Sequence, residues 1–195
     1  ALAQDLTRHF CIPQKPGFML IAPDGVDLNR YADLPSPQTA RQKLPVEIRE
    51  RLGDFTAGYT GHFYAGRGIE TILAMAAQLP QVFFLLVGGE PGDVERVKSQ
   101  ANTRGLTNIV VCGFVPNAEL PIYQAACDLL LMPYQAHVAA SSGGDIGRYL
   151  SPMKLFEYMA CGRAILSSDL PVLRETLNSE IAVLLPPADV SAWVE

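Results

Sequence analysis

The sequence predicts an α/β fold, a doubly wound, Rossmann-like parallel sheet with helices on both faces. Seven short apolar runs recur along the 195 residues, and Gly, Pro, Asn or Asp residues follow them. The apolarity of these runs is continuous rather than alternating, which is typical of strands buried on both faces. Stretches with helical periodicity lie between most of the runs, and this alternation indicates right-handed βαβ units.

The predicted elements follow the chain in this order. The predicted strands are residues 18–25, 56–61, 82–89, 108–114, 128–134, 164–169 and 181–187. Helices are predicted at residues 68–79, 92–104, 117–126, 152–161 and 171–178. Residues 30–53, rich in Pro, Ser and charge, predict a loop and one amphipathic helix at the edge of the sheet. In the helix at 152–161, Ser151 can act as the N-cap and Pro152 suits the first helical position.

Composition and charge exclude several classes of function. The formal net charge is -5 and the isoelectric point is near 5.2, which argues against binding nucleic acid or an anionic membrane through a basic surface. No apolar run is long enough to span a bilayer. The four cysteines are widely spaced without a CxxC pair, so we expect reduced core residues of a cytoplasmic protein. His9, His62 and His137 have no companions at ligand spacing, so we expect no metal site.

Two basic residues stand where a parallel sheet binds its ligands. Such sheets bind ligands beyond the carboxyl ends of their strands. Arg67 lies between two glycines after the second predicted strand, and Lys154 lies in the first turn of the helix at 152–161. A helix amino end already carries positive potential, so an added cation indicates an anion between the two, and we expect phosphate. Two alternatives stay open here: a surface ion pair between Lys154 and Glu157, and a solvated loop position for Arg67.

Six segments in order resemble one known family. They are "APDGVDLNRY", "ARQKL", "YTGHFYAGRGIETIL", "FFLLVGG", "GFVPNAELPIYQAACDLLLMPY" and "SPMKLFEYMACGRAILSSDLPVLRE". Together they resemble the carboxyl-terminal, donor-binding domain of retaining GT-B glycosyltransferases of family four, also called group one. The resemblance implies half of a GT-B fold, with residues 1–17 as the end of a preceding domain or an inter-domain connection. Residues 18–195 would form the nucleotide-sugar-binding domain, which we expect to be truncated at its carboxyl end.

The resemblance also implies roles for individual residues. Arg67 and Lys154 would hold the donor diphosphate as the catalytic residues, and Gly61 would allow a close backbone approach. Glu157, the second glutamate of the family's E-x7-E signature, would accept hydrogen bonds from the ribose hydroxyls. The remaining implied substrate-binding residues are Gly113, Phe114 and Val115 around the nucleotide base, with His62, Tyr149, Ser151 and Leu155.

Two positions depart from the family pattern. His62 stands where the family often has a second basic residue, which puts a doubly cationic clamp in doubt. Tyr149 stands where the first glutamate of E-x7-E is expected, so Asp145 or backbone groups of residues 141–149 would make the sugar contact, or the donor sugar would be unusual.

The function implied by the resemblance is metal-independent transfer of a hexosyl group from a nucleotide-diphosphate sugar, with retention of configuration and no cofactor. The acceptor would be a sugar, a lipid-linked sugar or a small molecule. The amino-terminal Rossmann domain of the full-length protein would supply the acceptor site, so we expect the fragment alone to bind donor but to be inactive. The location would be cytoplasmic, with peripheral contact at the inner face of the membrane through the missing domain left open. Alternatives are a non-catalytic nucleotide-sugar-binding or assembly domain, and a sugar-nucleotide epimerase or phosphorylase of the same fold.

Overall fold

A single parallel sheet organises the described part of the chain. The computed structural model describes residues 2–13, 15, 17–20, 22, 24–140 and 143–195. Within these residues the strands are β1 (Thr56–Thr60), β2 (Phe83–Val87), β3 (Ile109–Gly113), β4 (Leu129–Met132), β5 (Ala164–Ser168) and β6 (Val183–Leu185). All neighbouring strands pair in parallel, in the order β3-β2-β1-β4-β5-β6. The predicted fold class is therefore confirmed.

Helices connect and cover these strands. The α-helices are α1 (Leu2–Phe10), α2 (Pro37–Gln42), α3 (Val46–Arg49), α4 (Ile69–Gln78), α5 (Pro91–Thr103), α6 (Leu120–Ala125), α7 (Met153–Cys161) and α8 (Val190–Val194). Short 3₁₀ helices span Leu28–Tyr31, Gly147–Tyr149 and Leu173–Glu175. In the described part of the chain, no helix combines the length and apolarity that a membrane crossing needs.

The core consists of two apolar layers, one on each face of the sheet. Alternate residues of a strand point to opposite faces, and β2 shows this directly. Phe84 and Leu86 pack in a cluster with residues of α4 and α5, whereas Leu85 and Val87 pack in a cluster with residues of α6 and α7. Both faces of β1, β2 and β4 are largely buried, as expected for continuously apolar strands at the centre of a parallel sheet.

Three predicted elements differ from the structure. Residues 18–25 form no strand where they are described, and residues 21 and 23 lie outside the described residues. Phe18 and Leu20 are exposed, since no strand pairs with the described residues of this run. The helix predicted at 171–178 is reduced to the 3₁₀ turn at Leu173–Glu175. The single helix predicted within 30–53 is instead the pair α2 and α3, because Pro45 interrupts it and starts the second helix.

A buried ion pair fixes α2 beneath the sheet. The Arg41 side chain donates to the backbone carbonyls of Ala126 and Asp54, both at 2.9 Å, and pairs with the Asp128 carboxylate. The same carboxylate accepts the amide of Thr56 at 2.7 Å. These contacts hold α2 at the amino ends of β1 and β4, which are the two central strands. The helix was predicted at the edge of the sheet, and this prediction is wrong.

The cysteines match the prediction at most positions. Cys127 and Cys161 are buried, Cys112 is partly buried, and none of the four forms a disulfide. Cys11 is exposed, so its predicted place in the core is wrong. It lies after α1 and before the first strand, outside both apolar clusters of the described residues.

Candidate functional site

A cavity opens where the winding of the sheet reverses. After β1 the chain adds β2 and β3 on one side and then returns to place β4 on the other side of β1. Ligands of such sheets bind in the crevice at this switch point, beyond the carboxyl ends of the strands. The cavity there has a volume of about 370 Å³. It is lined by Thr60, Gly61, His62, Arg67, Leu120, Tyr134, Ser151, Pro152, Met153, Lys154 and Glu157.

The structure changes the predicted start of α7. The helix begins at Met153, and Pro152 occupies the N-cap rather than the first helical position. The prediction of Ser151 as the cap is wrong, because its hydroxyl hydrogen-bonds the Asp24 carboxylate at 2.6 Å. Lys154 is consequently the second residue of the helix, still within the first turn, where the backbone contributes positive potential.

The Lys154 amine is buried without a hydrogen-bond partner. Its Nζ lies 3.7 Å from the centroid of the Tyr59 ring and 5.4 Å from that of Tyr134. Burial lowers the pKa of Lys154 well below its usual value, the nearby Arg67 lowers it further, and Glu157 opposes the shift. The alternative of a surface ion pair is not what the structure shows, because Lys154 and Glu157 are only 9% and 8% exposed. A buried amine with no protein partner is an available site for an anion.

Arg67 reaches the same cavity from the loop between β1 and α4. Its Nη1 donates to the Tyr134 hydroxyl at 3.3 Å, and its Cζ lies 5.4 Å from the centroid of that ring. The flanking backbone is tightly packed, since a Cβ on Gly66 would overlap the carbonyl oxygen of His137. Arg67 is therefore partly buried against Tyr134 and is not a freely solvated loop residue.

Glycine at position 61 makes room for the Lys154 amine. Its φ of +131° is unfavourable for other residues, and an added Cβ would lie 2.8 Å from the Nζ of Lys154. Any side chain here would displace the amine, so Gly61 is required for the arrangement of the cavity.

A second cavity of about 290 Å³ adjoins the first. The two share Gly61, His62 and Leu120, and the second is also lined by Phe114 and Val115. The exposed His62 ring stacks on Tyr64 with centroids 4.8 Å apart. Gly113 does not line this cavity, but its carbonyl accepts the amide of Gly88 at 2.6 Å and so ties the ends of β2 and β3 together.

Three residues do not line the first cavity. Two of them were implied by the resemblance, and the third was suggested for the contact with the sugar. Tyr149 donates its hydroxyl to the Asp5 carboxylate at 2.6 Å and lines another cavity of about 240 Å³, which shares Ser151 and Pro152 with the first. Leu155 is 2% exposed in the core, and its amide donates to the Pro152 carbonyl at 2.9 Å. Asp145 is occupied within its own loop, and the hydrogen bond with His137 is the largest of the contacts that lower its pKa to about 2. Residues 141 and 142 lie outside the described residues.

Sequence reasoning missed the aromatic and amide groups around these charges. Tyr59 and Tyr134 lie beneath the two cations, and Gln124 donates to the Glu157 carboxylate at 3.1 Å. Tyr134 could have been identified from the sequence as a candidate site residue, because it follows β4 at the carboxyl end of the strand. A larger cavity, about 750 Å³, lies beside α4 and α5 but contains none of the predicted site residues. Among the described residues, no group of three or more His, Cys, Asp or Glu side chains could hold a metal ion.

Comparison with known proteins identifies the family. Residues 54–195 match the model of the family described as glycosyl transferases group 1. The chain belongs to this family. This group 1 domain is 27% identical over 189 residues to the 2-deoxystreptamine N-acetyl-D-glucosaminyltransferase of Streptomyces fradiae, covering 93% of the chain and 41% of that protein. It is 27% identical over 149 residues to the O-antigen chain mannosyltransferase C of Escherichia coli, covering 75% of the chain and 37% of that protein.

Solved structures confirm the fold of the group 1 domain. Sucrose-phosphate synthase from Thermosynechococcus elongatus superposes with a TM-score of 0.71 at 24% identity, over 99% of this chain and 45% of that one. Anabaena HepE in complex with UDP and glucose gives a TM-score of 0.67 at 23% identity, over 92% of this chain and 46% of that one. The chain spans less than half the length of these relatives, as expected for one half of a GT-B fold.

Proposed function

We propose that this group 1 domain binds the diphosphate of a nucleotide-sugar donor for transfer of the sugar to an acceptor with retention of configuration. The observation that carries the proposal is the buried Lys154 amine, unpartnered and beside Arg67 at the switch point. Cleavage of the sugar–phosphate bond places negative charge on the leaving diphosphate. Two cations that converge on one cavity can stabilise that charge without a metal ion.

The two adjoining cavities match the parts of such a donor. Arg67 and Lys154 would hold the phosphates, Glu157 would bind the ribose, and the cavity lined by Phe114 and Val115 would seat the base. The solved complex of HepE with UDP and glucose supports a uridine nucleotide as the first probe. We propose that the leaving phosphate accepts the acceptor proton, since the described cavity brings no paired carboxylates together.

Arg67→Ala tests the proposed diphosphate contact. Titration calorimetry of the chain with UDP, GDP and ADP should show binding of at least one of them with a millimolar or lower dissociation constant. Arg67→Ala should weaken that binding by about 10- to 100-fold, because a hydrogen bond to a charged group contributes about 1.5–3 kcal/mol.

Arg104→Ala is the matched control. Arg104 pairs with Glu70 on the surface, outside both cavities, so this variant should bind like the unaltered chain. Absence of binding to all three nucleotides would contradict the proposed function. Equal affinities for Arg67→Ala and Arg104→Ala would contradict the proposed role of Arg67.

We also propose that transfer needs a further domain in addition to this one. Closure of a second domain over the donor would exclude water and orient the acceptor, a contribution that reaches about 7–11 kcal/mol in well-oriented reactions. The chain alone should therefore bind donor but show negligible turnover. The measurement compares sugar transfer by this chain with transfer by a longer form that carries the second domain. Turnover within about tenfold of the longer form would contradict this part of the proposal. The acceptor and the cytoplasmic location stay predictions.

A further inference from the structure

A buried polar network lies behind the wall of the cavity. Gln124 on α6 is 0% exposed and stands between Glu157 on α7 and Tyr31 in the 3₁₀ helix Leu28–Tyr31. A fully buried amide must satisfy its hydrogen-bonding groups within the protein, and the partners it takes fix its orientation.

The partners of Gln124 determine which end of its amide faces the site. The Tyr31 hydroxyl donates to Oε1 of Gln124 at 3.0 Å. The NH₂ group therefore faces the other way, where Nε2 donates to Oε2 of Glu157 at 3.1 Å and to the Thr60 hydroxyl at 3.2 Å. Tyr158 completes the network, since its hydroxyl accepts the amide of Thr60 at 2.9 Å.

This network leaves one oxygen of Glu157 for a ligand. Oε2 is held by Gln124, whereas no hydrogen bond from a described residue engages Oε1. Glu157 lines the first cavity together with Arg67 and Lys154. Its direct partner is the neutral side-chain amide of Gln124 rather than a cation.

We propose that Gln124 is a positioning residue that aims the Glu157 carboxylate at the ribose of the donor and so sets the preference for ribose over 2′-deoxyribose. This inference rests on the proposed function. A carboxylate held by one fixed hydrogen bond can meet ribose hydroxyls in a single geometry, and an unrestrained carboxylate can rotate away from them. A site built to hydrogen-bond a hydroxyl rejects the analogue that lacks it, because the buried acceptor is then left unpaired.

The preference can be measured directly. Titration calorimetry gives the dissociation constants of the chain for UDP, GDP and ADP and for the 2′-deoxy form of each. The ratio of the deoxy constant to the ribo constant is recorded for each pair. The unaltered chain should favour the ribonucleotide by about tenfold, since one hydrogen bond to a charged group is lost in the deoxy form. Gln124→Met should reduce this ratio to about twofold or less and change the affinity for the deoxy form little.

Gln100→Met is the matched control. Gln100 also donates its side-chain amide to a carboxylate, that of Glu70 at 2.7 Å, but outside both cavities. This variant should keep the full preference for the ribonucleotide. Near-ultraviolet circular dichroism at the titration temperature verifies that each variant is folded.

Tyr31→Phe keeps the inference testable if Gln124→Met does not fold. It retains Gln124 but removes the hydroxyl that fixes its amide, so the ratio should fall to an intermediate value. An unchanged ratio in the folded Gln124→Met or Tyr31→Phe variant would overturn the inference, as would equal affinities of the unaltered chain for both sugars. Failure of the unaltered chain to bind any ribonucleotide would instead overturn the proposed function and, with it, this inference.

Discussion

Lys154→Met raises the melting temperature of the protein and lowers its affinity for a nucleoside diphosphate about 100-fold. The two effects have one origin. The Lys154 amine is buried with no hydrogen-bond partner, a state that costs about 1–3 kcal/mol for a polar group. Methionine has a similar length and no charge, so the expected rise in melting temperature is about 4 °C. Loss of the amine would remove the proposed charged contact to the diphosphate, hence the expected loss of affinity.

The same variant should remove a dependence of stability on pH. The pKa of Lys154 is lowered in the folded protein, so between that pKa and the usual value of 10.5 the unfolded chain binds more protons. The free energy of unfolding of the unaltered chain therefore increases as pH rises through this window. Lys154→Met lacks this contribution, which urea unfolding across the window measures.

Binding should show the opposite dependence on pH. A bound diphosphate favours the charged amine, so binding takes up a proton wherever the free amine is neutral. Affinity should then fall as pH rises above about 7.5, where phosphate with a second pKa near 6 is already fully ionised. Lys98→Met, at an exposed pair with Glu95, is the control and should change neither property. A lower melting temperature or an unchanged affinity for Lys154→Met would contradict the assignment of Lys154.

Arg41→Met should reduce the free energy of unfolding by about 3–5 kcal/mol. Arg41 is 7% exposed and serves two backbone carbonyls and the Asp128 carboxylate, so its removal leaves a mostly buried charge unpaired. The melting temperature should fall by about 10 °C, as scanning calorimetry measures.

The surface variant Arg104→Met provides the comparison for Arg41→Met. Exposed ion pairs contribute about 0–1 kcal/mol, so removal of Arg104 from its pair with Glu70 should change stability little. Nucleotide affinity of the folded Arg41→Met variant should stay unchanged, because Arg41 lies at the opposite ends of the strands from the cavity. Similar melting temperatures for the two variants would show that the Arg41–Asp128 pair does not hold α2 in place.

The sequence predicted the sheet well because each strand carries its own signal. Burial on both faces makes a run such as residues 82–89 continuously apolar, and six such runs became strands. Residues 18–25 carry the same signal, but those of them that the structure describes have no partner strand. Pairing depends on the rest of the fold, which a single apolar run does not encode.

The site could be predicted only where function follows from position along the chain. Arg67 and Lys154 were identifiable because each lies near the start of a helix beyond the end of a strand. Gln124 was not, because its partners Tyr31 and Glu157 are 93 and 33 residues away in sequence. Nor could the sequence show that Tyr149 points to Asp5, a contact that depends on where α1 packs.

The position of the cavity between β1 and β4 has a consequence for the order of folding. Strands β1, β2 and β3 follow one another and pair across single helices, whereas Ala57 of β1 pairs with Leu129 of β4 across the chain segment that contains β2 and β3. Contacts between residues so distant in sequence form slowly, because a long loop must close before they contribute. Arg67 precedes β2 and Lys154 follows β4, so the two cations meet only when β1 and β4 pair. We therefore expect a fragment that ends before β4 to carry Arg67 without Lys154 and to lack the complete site.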